Sequence, residues 1–304
     1  MSLLELLSTS PGALIGTCLV LGLALGSFLN VVIYRLPVML ERQWREQCTE
    51  LSADAAAATV PATAVAEPFN LVVPRSTCPA CGTPIKAWQN IPLLSWLMLR
   101  GRCASCRKRI SVRYPVVEAL TGILFACVAW RYGFGWPTLA ALVLTGYLIT
   151  LTFIDIDHQL LPDSLTLSLL WIGLFLSLGG PQPGGAPIPV DPRSSLIGAM
   201  TGYASLWSVY HLFRLLTGKE GMGYGDFKLF AALGAWLGWQ MLLPLILIAA
   251  TVGAVVGVAL ITARRQHRST PIPFGPFLAI SGWLMLMFGQ QLVASYFGWF
   301  AAYR

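Results

Sequence analysis

The sequence predicts an all-α polytopic membrane protein of about eight transmembrane helices, with a cytosolic zinc-knuckle domain inserted between helices 1 and 2. Three observations predict it. Hydrophobic residues make up 56% of the 304-residue chain and charged ones 11%, with a mean hydropathy of +0.68. The basic residues fall overwhelmingly on one side of the apolar runs, and two C-x-x-C pairs occupy the single long charged loop. A composition this apolar excludes an ordinary soluble domain. The formal charge of +7 sits in loops, so it reads as membrane topology and not as a surface for nucleic acid.

Apolar runs long enough to cross about 30 Å of hydrocarbon at about 1.5 Å per residue lie near residues 12–34, 114–132, 137–154, 164–179, 195–216, 240–262 and 277–299. Segment 227–239 would span only about 20 Å, but fusing it to the next run would give a helix of about 55 Å, so it reads as a separate short span. The chain is thus expected to divide into a first transmembrane helix at 12–36, a cytosolic loop at 37–113 and a seven-helix membrane domain at 114–304.

Alternating the loops across the membrane puts seventeen of the twenty basic residues on one face, leaving only Arg131, Arg193 and Arg304 on the other. Lys and Arg concentrate on the cytoplasmic side. The long loop is therefore expected in the cytosol and both termini outside. The leader "MSLLELLSTS" has no Lys or Arg and carries Glu5, which fits an outside-in anchor better than a cleaved signal peptide. The Ala-rich segment 53–68 reads as a linker, and the Gly- and Pro-rich segment 179–192 as an irregular external loop. No convincing internal repeat is apparent.

"CPAC" (Cys78, Cys81) and "CASC" (Cys103, Cys106) are separated by 21 residues, close to the spacing of a four-cysteine zinc site. In a reducing cytosol, thiolates on Zn2+ are favoured over disulfides. Four thiolates leave no position for water, so the zinc should be structural, clamping a small domain over residues 74–110 that cannot build a core unaided. Cys18 and Cys127 lie in apolar spans and read as small buried hydrophobes.

Only 13 acidic residues occur, and two stretches place them at membrane edges: "FIDIDHQLLPD" at the end of the third span and "GMGYGDFKL" at the start of the sixth. Both fall on the cytosolic face by the charge-derived topology, so Asp155 or Asp157 can meet Asp226. Two close carboxylates share one proton near neutrality, leaving an acid and a base, which is the equipment for amide hydrolysis by activated water. Gly221, Gly223 and Gly225 lack a Cβ, so an extended substrate strand could approach the backbone beside Asp226, with Gly223 and Gly225 nearest. A helix N-cap would be a sufficient reading of Asp226 alone. Glu118 reads as an interfacial or zinc-domain contact, and no HExxH or GxSxG element supports a metallopeptidase or serine hydrolase.

Seven blocks in order, "GSFLNVVIYRLP", the two cysteine pairs, "NIPLLSWLMLRGRC", "RYPVVEALTG", "DIDHQLLPD", "GMGYGDFKL" and "PIPFGPFLAISG", resemble the type IV prepilin peptidases, bifunctional members of the GxGD intramembrane aspartyl proteases. The resemblance spans nearly the whole chain. It implies removal of short basic leaders from type IV prepilins and type II secretion pseudopilins at the cytoplasmic face of the bacterial inner membrane. Methylation of the new N-terminus from S-adenosylmethionine would follow. It selects Asp155 over Asp157 as the partner of Asp226, and places the family's cysteines on Cys78, Cys81, Cys103 and Cys106. Methyl transfer rests on the resemblance alone and is assigned to the region around Gly101, since no nucleotide-binding fold is legible.

Two other functions compete. A proton- or cation-coupled transporter would carry acids near mid-helix and broken helices at the midplane, whereas these acids sit at helix ends. A zinc-dependent membrane docking module would need the cysteines and not the aspartates.

Overall fold

The structure is a computed structural model that describes residues 2–55, 69–180, 188–263 and 272–302. Most of the Ala-rich insert, residues 181–187 of the external loop, and Arg264, Arg265 and Arg268 lie outside the described residues. The architecture is helical, with no β-strand longer than an isolated bridge among the described residues. In chain order the α-helices are α1 (Leu3–Thr9), α2 (Pro11–Ala55), α3 (Leu94–Met98), α4 (Arg113–Tyr132), α5 (Trp136–His158), α6 (Asp163–Ser177), α7 (Pro192–Thr217), α8 (Tyr224–Leu237), α9 (Leu242–Thr262) and α10 (Gly275–Ala302). Five of these segments are long and apolar enough to cross a membrane: Pro11–Thr49, Arg113–Tyr132, Trp136–His158, Trp239–Thr262 and Gly275–Ala294.

Glu5 has a local role at the start of α1: its Oε2 accepts from the Ser2 N–H at 2.7 Å while Ser2 Oγ accepts from the Glu5 N–H at 3.2 Å, a reciprocal cap. Helix α2 runs well past the expected end at residue 36, continuing through Pro37 to Ala55. Hydropathy stops there, but "ERQWREQ" is made of good helix formers.

The chain divides into two compact units. The unit Leu19–Leu124 is organised by α2 and α4. Gly26 packs on the α4 backbone, where an added Cβ would lie 2.8 Å from Glu118 Cα. Further along α2, Asn30 Nδ2 donates to the Tyr114 carbonyl at 3.1 Å, and the buried Arg35 guanidinium donates to the carbonyls of Asn70 (2.8 Å) and Pro74 (2.6 Å). Glu118 Oε2 accepts from the Leu93 N–H at 2.8 Å. The acid in α4 thus holds the turn that starts α3, a contact with the cysteine-bearing segment.

The second unit, residues 1–18 with 125–304, has α8 at its centre. Residues 229–237 of α8 are buried without exception, as expected for a helix apolar on every face. Its neighbours approach through small residues. Gly198 of α7 lies against the Gly234 backbone, and Gly202 against Phe230 and Ala231. Gly173 of α6 admits the Trp236 indole, whose Nε1 donates to the Leu169 carbonyl at 2.8 Å. Tyr203 and Tyr210 of α7 pack against Phe227, and Tyr224 closes the cluster. Helix α8 ends at Gly238 (φ 84°), and a single 3-10 turn, Trp239–Met241, precedes α9. The short segment is therefore a helix distinct from α9.

Candidate active site

Asp155 lies in the last turn of α5, where the Gln159 N–H donates to its carbonyl at 2.9 Å. Its side chain is buried, and Oδ2 accepts from the Gly275 N–H at 3.0 Å. Gly275 is the first residue of α10, so the positive end of that helix faces the carboxylate. Asp226 is the third residue of α8, also buried, with Oδ2 accepting from the Gly223 N–H at 3.3 Å. Its Oδ1 is buried and has no hydrogen-bond partner among the described residues. The two carboxylates interact electrostatically. Asp157, two residues from Asp155, is exposed, so burial separates the two acids that the sequence left open.

Leu161 links the elements around the pair. A Cβ added at Gly225 would stand 2.7 Å from Leu161 Cβ, and one added at Gly275 would stand 2.5 Å from Asp155 Oδ2 and 3.2 Å from Leu161 Cδ1. None of Gly221, Gly223 and Gly225 adopts a positive φ, and Gly225 is small because Leu161 presses on it. Gly223 has space around it, its added Cβ meeting Asp226 Oδ2 only at 3.8 Å.

Three contacts around the pair were not foreseen from the linear pattern. Gly275 reaches Asp155 from 120 residues away. Lys228 Nζ pairs with Asp163 Oδ1 at 2.6 Å, tying the start of α8 to the start of α6. Leu161 fills the space between Gly225 and Gly275. Leu161 and Gly275 sit in the "LPD" and "PFG" elements, where a volume and a backbone amide leave no mark in residue type.

The cysteines form a separate site. Their four Sγ atoms all lie within 4.8 Å of one another, with Cys78 and Cys106 Sγ 3.9 Å apart. A tetrahedral shell with Zn–S bonds of about 2.3 Å has sulfurs about 3.8 Å apart, so the donors fit zinc in number, type and spacing. Each pair sits in a knuckle of one design. The Cys78 N–H donates to the Thr83 carbonyl, Gly82 to Cys78, and Ile85 to Ser76; 25 residues on (Cys78 to Cys103), Cys103 donates to Lys108, Arg107 to Cys103, and Ile110 to Gly101. Bridges Thr77–Pro84 and Arg102–Arg109 close them, and Gly82 and Arg107 share a positive φ. This is an internal repeat that the sequence did not reveal. The Thr83 hydroxyl, then its amide, holds the Cys81 thiol down to about 6, favouring the thiolate that binds metal.

Gly101, the expected centre of methyl transfer, is buried at φ +66°, and a Cβ there would meet the Trp96 ring at 2.9 Å. Its immediate role is to let the second knuckle lie on Trp96.

Residues 20–132 match the bacterial peptidase A24 N-terminal domain, and residues 142–258 match the type IV leader peptidase family. A protein of Stutzerimonas stutzeri described as "Prepilin leader peptidase/N-methyltransferase" is 50% identical over 296 residues, covering 97% of this chain and 98% of that protein. Proteins of the same description are 53% identical over 295 residues in Aeromonas hydrophila (97% of each chain) and 48% identical over 299 residues in Pseudomonas aeruginosa (97% and 98%). No solved structure matches. With half the residues shared along almost the full length of these relatives, the chain belongs to the type IV leader peptidase family.

Proposed function

We propose that the chain removes the basic leader from type IV prepilins and type II secretion pseudopilins and then methylates the exposed N-terminus, with Asp155 and Asp226 as the catalytic acids of cleavage. The observation that carries the peptidase reading is the pair of buried aspartates delivered by the end of α5 and the start of α8. Buried polar atoms normally have partners. Asp226 Oδ1 has none among the described residues, which suits it to hold the shared proton and donate it to the scissile carbonyl. Asp155, oriented by the Gly275 amide, takes a proton from the attacking water. Collapse of the resulting diol breaks the C–N bond as Asp155 returns that proton to the leaving amine and the diol returns one to Asp226. Gly223 leaves the approach to Asp226 open, and Gly225 lets the α8 start close on Leu161.

Eight spans, α2 and α4–α10, with the shorter α6 and α8 sheltered by their neighbours, would cross the inner membrane with termini outside. The acids and the cysteine domain would then face the cytosol. Zn2+ on Cys78, Cys81, Cys103 and Cys106 would be structural. The methyl group comes from S-adenosylmethionine and is transferred near Gly101, where we assign Gly101 a shaping role through Trp96. The test is to incubate the purified chain with a prepilin and labelled methyl donor, scoring leader removal and label transfer separately. Both should occur, cleavage first; a prepilin left uncut would contradict the proposal.

A further inference from the structure

Helix α3 presents an apolar side that its own domain does not cover. Ser95 is buried and the Trp96 ring lies against Gly101, but Leu94, Leu97 and Met98 are 51%, 64% and 66% exposed, and Ile91, one turn earlier, is 44% exposed. Positions 94, 97 and 98 share one face of α3, and Ile91 lies in the turn that leads into it. A contiguous exposed apolar face marks a contact surface. Next to it is a hollow of about 450 Å³ lined by Met98 and Leu99 and by Arg100, Arg102 and Arg107. All three arginines are exposed.

Apolar residues that project outward, rimmed by guanidinium groups, match the interfacial region of a bilayer, where acyl chains and phosphates lie within one side-chain length of each other. The segment also sits close in sequence to a membrane-crossing helix, since α4 starts at Arg113. A basic peptide would be repelled by the arginines. We infer that this face of the cysteine domain docks on an anionic phospholipid surface, with Leu94, Leu97 and Met98 entering the headgroup boundary and Arg100, Arg102 and Arg107 taking lipid phosphates. The domain is then held at the membrane surface by a second contact besides its flanking helices.

The test is hydrogen exchange on the full chain in nanodiscs of phosphatidylcholine alone and of phosphatidylcholine with phosphatidylglycerol. Amides of 91–100 should exchange more slowly with the anionic lipid, while those of 76–85 stay unchanged. Replacing Arg100, Arg102 and Arg107 by Gln should cut the lipid-dependent protection by about fivefold per arginine, and Leu97→Asn with Met98→Asn should remove it. Zinc content shows whether each variant keeps its fold. If a variant loses zinc, high salt on the unaltered chain should erase the increment instead. Equal exchange in the two lipids, or an increment that survives high salt, would overturn the inference. So would equal protection by S-adenosylmethionine in phosphatidylcholine discs, which would assign the hollow to the methyl donor.

Discussion

The backbone N–H of Gly275 donates to Asp155 Oδ2 across 3.0 Å, so the first residue of α10 positions the acid at the end of α5. No side chain fits there, because a Cβ at Gly275 would stand 2.5 Å from that oxygen. Gly275→Ala should therefore displace the carboxylate from the amide. A hydrogen bond to a charged group is worth about 1.5–3 kcal/mol, so kcat for cleavage should fall by about 10- to 100-fold with little change in KM. Methylation of an already cleaved pilin should be unaffected. Cleavage within twofold of the unaltered chain would show that the amide has no positioning role.

The Lys228–Asp163 pair is partly exposed, with side-chain exposures of 25% and 60%. Such pairs add less than about 1 kcal/mol to stability. Their effect should appear in cleavage, because the pair fixes the α8 start against α6 two residues from Asp226. Lys228→Met and Asp163→Asn should each slow cleavage by about three- to tenfold, and the double variant should be no slower than the worse single one. Additive losses in a double-mutant cycle would mean that the two residues act independently.

Close approach of α7 and α8 at Gly198 and Gly234 leaves no room for a methyl group between the backbones. Gly198→Val should force the helices apart, costing about 1–3 kcal/mol or more, and should lower the thermal midpoint in detergent. Cleavage should fall with it, since α8 carries Asp226. Gly146, where an added Cβ meets nothing within 4 Å, provides the comparison: Gly146→Ala should leave both quantities nearly unchanged.

Metal analysis of the purified chain should find one zinc per molecule, and Cys106→Ser should abolish it. Loss of the metal should accelerate hydrogen exchange across both knuckles, 76–85 and 101–110, because the fold there rests on the four sulfurs and two isolated bridges. Exchange within α8 should not change. A chain without zinc whose knuckles stay protected would remove the metal from the account.

Much of this was legible in the sequence, for reasons that vary with the element. Hydropathy and charge located the helices that became α4–α10, and the break at Gly238 was readable because a fused helix would be too long for a bilayer. The reach of α2 to Ala55 was not readable, since hydropathy ends near Pro37 while helix propensity continues. The four cysteines were legible through their spacing, but the repeat they belong to is written in backbone hydrogen bonds, which Thr83 and Lys108 share without any likeness of side chain. The acids stood out as a rare residue type at the ends of apolar runs, and the structure buries Asp155 and Asp226 at helix ends. Gly275, Leu161 and the Lys228–Asp163 pair were not, because their contributions are an amide, a volume and a contact that exist only once α5, α6, α8 and α10 are assembled.

The central claim is that Asp155 and Asp226 together cleave the prepilin and take no part in methyl transfer. The most direct test is to compare purified Asp155→Asn and Asp226→Asn chains with the unaltered one, giving each a full-length prepilin and, separately, a pre-cleaved pilin with labelled S-adenosylmethionine. Each variant should lose cleavage by about 10²- to 10⁴-fold, the range for removing a general acid or base, while labelling the pre-cleaved pilin normally. Leader removal at an undiminished rate by either variant would contradict the account.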